Sequence, residues 1–145
     1  MTYSRLLVAA QFILIILLIW PWTVPVFMWP ALWMSLPALV FGIWILKHNR
    51  LGNFNIRPEV KAGAQLIMDG PYALVRHPMY VAVLWMGLCA VVLYASAAPL
   101  FLLGLLYLVL DRKAALEETY LRAHFADYEA YADKVGRFLP RRFLE

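Results

Sequence analysis

Two long stretches of this chain contain no Asp, Glu, Lys or Arg: residues 6–46 and residues 77–110. Nothing else limits the available folds as much. A helix that crosses the hydrocarbon core needs about 20 apolar residues. The first stretch is therefore long enough for two spans, and the second must be two short spans or one long bent helix. Of the 145 residues, 64% are hydrophobic and 15% charged, which is far from the profile of a soluble domain. The chain reads as an integral membrane protein.

Both stretches carry internal punctuation. In the first, Pro21, Pro25 and Pro30 alternate with Trp20, Trp22, Trp29 and Trp33. Proline removes a backbone donor and breaks helices, while tryptophan favours the headgroup level. This predicts a turn over about 22–29 between spans at about 6–20 and 30–46. In the second, Tyr94-Ala95-Ser96-Ala97-Ala98-Pro99 predicts a turn between spans at about 78–94 and 99–110, with the last helix continuing into charged sequence to about Phe125. The expected fold is all-α: a polytopic membrane helix bundle of about four transmembrane helices in two hairpins, with a cytoplasmic C-terminal helical segment. It forms a single membrane domain, 1–145, divided into an N-terminal hairpin (1–46), a loop (47–76) and a C-terminal hairpin with its tail (77–145).

The basic residues orient it. Lys47, Arg50, Arg57, Lys61 and Arg76 lie between spans two and three. Arg112, Lys113, Arg122, Lys134, Arg137, Arg141 and Arg142 follow span four, and Arg5 precedes span one. The two opposite turns carry no charge. Positive residues stay on the cytoplasmic side, so a multi-pass protein with both termini and the long loop in the cytoplasm is expected, in the inner membrane if the host is bacterial. The formal charge of +4 reflects this asymmetry and an attraction to anionic lipid. It does not point to nucleic acid, because no basic cluster alternates with a stacking platform. Arg5 before an apolar core resembles a signal peptide, but Pro21-Trp22 replaces a small-residue cleavage site and a second span follows, so an uncleaved anchor is expected. One cysteine, Cys89, excludes an internal disulfide, and His48, His77 and His124 are too scattered for a metal-ligand spacing. Gly87 and Gly104 form no paired small-residue face, and the oligomeric state stays open.

Chemistry concentrates at the start of span three, in Gly70-Pro71-Tyr72 and Arg76-His77-Pro78-Met79-Tyr80. Ionisable residues beside hydrocarbon are costly, which makes such a cluster a candidate site. Proline favours the first helical position, so His77 falls at the cap and the backbone donors of Met79 and Tyr80 face the cytoplasmic side. A helix N-terminus flanked by Arg76 and His77 would receive a carboxylate or phosphate. The plainer reading makes Arg76 a positive-inside anchor, His77 a polar cap and Tyr80 an interfacial aromatic. From the residues alone both stand. A second constellation, Arg112-Lys113-Ala114-Ala115-Leu116-Glu117-Glu118, leaves span four on the same side. On a helix Lys113 and Glu117 share a face and can pair, as an ordinary solvated salt bridge or with Glu117 offered to a cationic or hydroxyl-bearing ligand.

In order and spacing these motifs resemble the isoprenylcysteine carboxyl methyltransferase family: Gly70-Pro71-Tyr72, Arg76-His77-Pro78-Met79-Tyr80, Glu117-Glu118-Thr119-Tyr120-Leu121 with Phe125, Tyr128 with Tyr131, and Pro140. The likeness runs from about Leu51 to Pro140 and leaves the first two spans out. It implies an integral-membrane methyltransferase that uses S-adenosyl-L-methionine, without a Rossmann domain or a metal. Implied cofactor contacts are Ala64, Gln65, Leu66 and Ile67, then Tyr72, then Arg76, His77, Pro78, Met79 and Tyr80, with Glu117 completing the site. Where the family pattern would place a substrate-facing arginine the chain has Lys113, with Arg112 adjacent; these are the implied substrate contacts. Lysine lacks the planar fork that grips a carboxylate bidentately. The 64–67 loop is also less polar than the pattern.

On this reading the methyl acceptor is lipophilic, such as the carboxylate of a prenylcysteine-like compound or a prenylated substrate, and it arrives laterally from the bilayer. Methyl transfer is an in-line displacement, so alignment and exclusion of water can supply catalysis without a covalent nucleophile. Three alternatives remain: a phospholipid amine methyltransferase, a membrane reductase of the sterol type using NADPH, and a non-enzymatic membrane scaffold. The acidic pair Glu117-Glu118 favours the methyltransferases over the reductase.

Overall fold

The structure, a computed structural model, describes residues 3–49 and 65–141. It is all-helical in these segments: α1 (Tyr3–Leu18), α2 (Met28–His48), a 3₁₀ turn (Gly70–Ala73), α3 (Pro78–Tyr94), α4 (Ala97–His124) and α5 (Tyr128–Ala132). No strand is present among the described residues, only an isolated parallel bridge between Val75 and Gly136.

The helix ends follow the predicted punctuation, with local differences. α1 runs Tyr3–Leu18, not 6–20, because the chain turns at Trp20 and the Trp22 indole donates to the Leu17 carbonyl at 2.7 Å. α2 extends beyond 30–46 at both ends. Pro30 lies in its first turn, where a missing donor costs nothing, and Lys47 and His48 in its last turn complement the dipole. α3 occupies the expected 78–94, with Pro78 at its first position and Ala95 in the left-handed conformation (φ 47°) ending it. α4 is one continuous helix through the expected exit at Leu110, ending at His124. The first turn is tied to the far end of α3: Val26 and Phe27 donate to the Leu93 carbonyl at 2.8 and 3.3 Å, and Thr23 Oγ1 to the Tyr94 carbonyl at 3.3 Å.

Packing pairs the first helix with the last long one. The buried face of α1 is Ser4, Leu7, Gln11, Leu14 and Leu18, a repeat alternating three and four residues. That is the seam spacing of packed helices. It lies along Leu102, Leu106, Leu110 and Lys113 of α4, and Leu14, Leu18, Leu102, Leu106 and Leu110 form one core cluster. α2 packs on α3, and α3 on α4. A second cluster of Tyr128, Tyr131 and Val135 sits under the C-terminal segment, with Leu66, Leu121 and Phe125 against it.

Outside these seams the surface is apolar. Ile13, Ile16, Trp20, Trp29, Trp33, Val40, Leu100 and Phe101 are all exposed. α2 is 21 residues long and apolar enough to cross a membrane by itself, and most of it is unburied, unlike the core helix of a soluble protein. α1 and α3 are apolar but have 16 and 17 residues. Among the described residues α2 is thus the one helix that meets the length and composition of a span outright.

Candidate active site

The loop before α3 and the segment after α5 run side by side. Arg76 N–H donates to the Gly136 carbonyl at 2.9 Å and His77 N–H to the Arg137 carbonyl at 3.2 Å. Gly136 permits the tight fold of the C-terminal segment on itself, since a Cβ there would run into the Leu139 carbonyl oxygen. The Arg76 guanidinium donates to the carbonyls of Ala132 and Val135 at the end of α5, and Tyr131 Oη donates to the Tyr72 carbonyl at 2.7 Å. The C-terminal segment is thereby strapped across the start of α3 and the C-terminal half of α4.

Glu118 is the hub of that strap. It is completely buried, and Oε1 accepts from Arg76 Nε (3.2 Å), Arg76 Nη2 (3.1 Å) and Arg137 Nε (3.0 Å), with His77 Nε2 at 3.1 Å. Oε2 accepts from Arg137 Nη2 at 2.9 Å, and Arg137 Nη1 reaches Asp111 at 2.7 Å. Burial alone would raise the Glu118 pKa. The hydrogen bonds from His77 and Arg137 and the Arg76 charge overcome it and hold the carboxyl well below the usual carboxylate range. Burial likewise pulls the His77 imidazole down, but the carboxylates of Glu117 and Glu118 outweigh it and the net shift is upward. A charged His77 against a charged Glu118 is the state both shifts favour.

Glu117 faces the other way. Its Oε2 accepts from Tyr80 Oη at 2.8 Å and lies 3.6 Å from His77 Nδ1. The rings of His77 and Tyr80 are parallel, 5.2 Å between centroids, and Phe138 of the strap meets both edge-on at 6.1 and 6.4 Å. Burial, helped by the Glu117 charge, pushes the Tyr72 phenol up to about 12. Lys113 is 3% exposed. Its ammonium donates to Gln11 Oε1 of α1 at 2.7 Å and stands 5.3 Å over the Tyr80 ring.

Together these side chains wall a cavity of about 310 Å³, lined by Gln11, Asn49, Tyr72, Arg76, His77, Tyr80, Lys113 and Glu117 with Phe12, Ile15, Pro78, Met79 and Val83. Both motifs read from the sequence therefore face one space. Several expectations are placed differently. Ala64 lies outside the described residues. Leu66 packs on the Tyr128 cluster, Gln65 is exposed, and neither they nor Ile67 line the cavity. Arg112 is exposed and away from it. The expected Lys113–Glu117 pair gives way to Lys113–Gln11, because α1 supplies an acceptor to the same nitrogen. Arg76 spends most of its donors on Glu118 and two carbonyls, and the Tyr80 amide is not free at the helix start but donates to the His77 carbonyl at 3.1 Å. His77 makes no side-chain cap bond; its ring serves the carboxylates.

Sequence reasoning missed Gln11, Asn49, Glu118 as the hub, Arg137 and Phe138. Gln11 did carry a signal as the one amide in the charge-free 6–46 stretch, and Glu118 stood beside the chosen Glu117.

An apolar all-helical body with a buried carboxylate–guanidinium–imidazole cluster at one end defines a membrane-associated helical protein with a polar cavity at its rim. The chain belongs to the isoprenylcysteine carboxyl methyltransferase family, whose model matches residues 31–123. It is also 26% identical over 122 residues to the cobalt-zinc-cadmium resistance protein CzcN of Cupriavidus metallidurans, a match covering 80% of this chain and 55% of that protein. The chain thus spans about half the length of the curated relative it matches.

Proposed function

We propose that this protein is a membrane methyltransferase that takes its methyl group from S-adenosyl-L-methionine and delivers it to a lipophilic acceptor, such as the carboxylate of a prenylcysteine-like compound. Family membership supports the reaction class. The observation that carries the reading is the cavity between α1, α3 and α4, where Glu117 keeps a carboxylate oriented by Tyr80 while Glu118 absorbs the neighbouring cations.

The donor set suits such a cofactor. Glu117 would accept from its ammonium or ribose hydroxyls, and Tyr72 with the stacked His77–Tyr80 pair would offer flat faces to its adenine or sulfonium. Bound there, the cofactor supplies an electrophilic methyl on a sulfonium that leaves as a neutral thioether. A carboxylate acceptor attacks as an anion, so the protein has no proton to remove at that oxygen. What the chain must do is align and dehydrate. Tyr80 and His77 fix Glu117, Phe138 covers their edges, and Lys113 offers a cation at the inner wall.

A lipophilic acceptor is supported by an apolar groove of about 370 Å³ between α1, α2 and α3, which shares Ile15, Met79 and Val83 with the polar cavity. A hydrocarbon tail lying in that groove would present its head beside Lys113. This arrangement fits four helices in the bilayer as two hairpins, with both termini and the cavity on the cytoplasmic side.

Calorimetry with S-adenosylhomocysteine tests the reading. Wild type is expected to bind, Glu117→Ala to lose binding, and a large excess of NADPH to leave it unchanged. A wild type that does not bind, or an E117A protein that binds equally well, overturns it. Incubation with methyl-labelled cofactor and a total lipid extract, followed by mass spectrometry, then identifies the acceptor.

A further inference from the structure

The buried face of α1 along α4 is apolar except for Ser4, near its start, and Gln11, which meets Lys113. A buried polar pair in such a seam fixes register, and that alone would account for it. Its surroundings carry more. On α4, Lys113 and Glu117 are one turn apart on the same face, the spacing at which lysine and glutamate pair. Yet the ammonium is drawn sideways to Gln11 at 2.7 Å, over the Tyr80 face, while the Tyr80 hydroxyl holds Glu117 at 2.8 Å.

The geometry points to Gln11 as a positioning residue that holds Lys113 away from Glu117, so that both charges remain available to the cavity. Gln11 is neutral, so it can accept from the ammonium without cancelling its charge as a carboxylate would. It is 8% exposed, lines the cavity, and lies on α1, outside the residues that match the family model. Its role toward the cofactor rests on the proposed function; its role toward Lys113 does not. Remove the amide, and Glu117, one turn along the same face of α4 and already acting on the Lys113 charge, becomes the expected acceptor. The other titratable groups at the cavity are Arg76, His77, Tyr72 and Tyr80; Asn49 is its other amide, at the end of α2. Burial already lowers the Lys113 pKa against the opposing pull of Glu117, so a change of partner has a defined sign.

The test uses the 145-residue chain in micelles with ¹³C-labelled lysine, the Lys113 signal being the one missing from Lys113→Met. In Gln11→Leu the Lys113 titration should move to higher pH, and the rise should vanish in Gln11→Leu/Glu117→Gln. A downward move in Q11L, or a rise that survives E117Q, overturns the proposal: the first leaves only a lost hydrogen bond, the second a side chain that has escaped to solvent. In parallel, Q11L should bind S-adenosylhomocysteine roughly three- to tenfold more weakly than wild type, and Q11L/K113M more tightly than Q11L. Equal weakness of the two overturns the link to the cofactor. A wild type that binds none, with the titration as expected, overturns the proposed function and keeps Gln11 as the residue that places Lys113.

Discussion

Adjacent carboxylates at 117 and 118 have opposite duties. Glu118 faces Arg76, His77 and Arg137 in a fully buried site, and removing one side of such a cluster leaves the others uncompensated. Glu118→Gln should destabilise the fold by about 3 kcal/mol or more, read as a lowered thermal midpoint in detergent. Glu117, one-third exposed and held by Tyr80, should cost less than about 1 kcal/mol as Glu117→Gln while losing most of the cofactor affinity in calorimetry. The pH dependence follows from the same residues. The depressed Glu118 carboxyl contributes stability that is present above the unfolded value near 4.5 and lost as pH falls toward its folded value. The raised His77 contributes fully below 6.5 and is lost as pH rises through its folded value. The thermal midpoint should therefore be greatest between these limits, and His77→Gln should flatten the alkaline side while the acid side persists. What the sequence disclosed at this scale was the residue types. It could not disclose partners, because helical spacing relates Lys113 only to residues of its own helix. Its actual acceptor is 102 positions away.

Elements were the most legible level. Prolines 30, 78 and 99 and the onset of charge at Lys47 mark helix ends with simple physical causes, and α3 begins and ends where its punctuation says, whereas α4 runs on through the onset of charge at Asp111. The strap was not legible. Residues 133–141 carry no periodicity, and their position depends on Arg76 donating to backbone carbonyls and on Gly136 lying against the loop before α3. Gly136→Ala forces the Leu139 carbonyl to move, and overpacking of this kind costs about 1–3 kcal/mol. The expected outcome is selective: faster proteolysis after α5 and weaker cofactor binding, since Phe138 leaves the His77–Tyr80 pair, with the α1–α4 seam unchanged by amide exchange. Gly70 is constrained otherwise, by a left-handed φ of 57° and by the His48 ring, 2.5 Å from where a Cβ would stand.

Whole-molecule arrangement was partly legible. Charge segregation implied a membrane protein, and the exposed tryptophans and aliphatics of α1 and α2 suit a lipid-facing surface. The proposed topology of two hairpins with cytoplasmic termini makes a direct prediction. On a Cys89→Ala background, Thr23→Cys should react with an impermeant maleimide in intact cells, and Lys134→Cys only after lysis; the reverse pattern would invert the topology. The pairing of α1 with α4, which charge patterns do not encode, bears on how the protein is made. A ribosome delivers α1 before α4, so in the proposed topology Gln11 would have no ammonium to meet, and would face lipid or a temporary companion, until α4 is inserted. Chains interrupted after Tyr94 should therefore be substrates for quality control and be cleared faster in a pulse–chase than chains that include α4. Completion of the last long helix becomes the moment at which the nascent chain is committed to its final assembly.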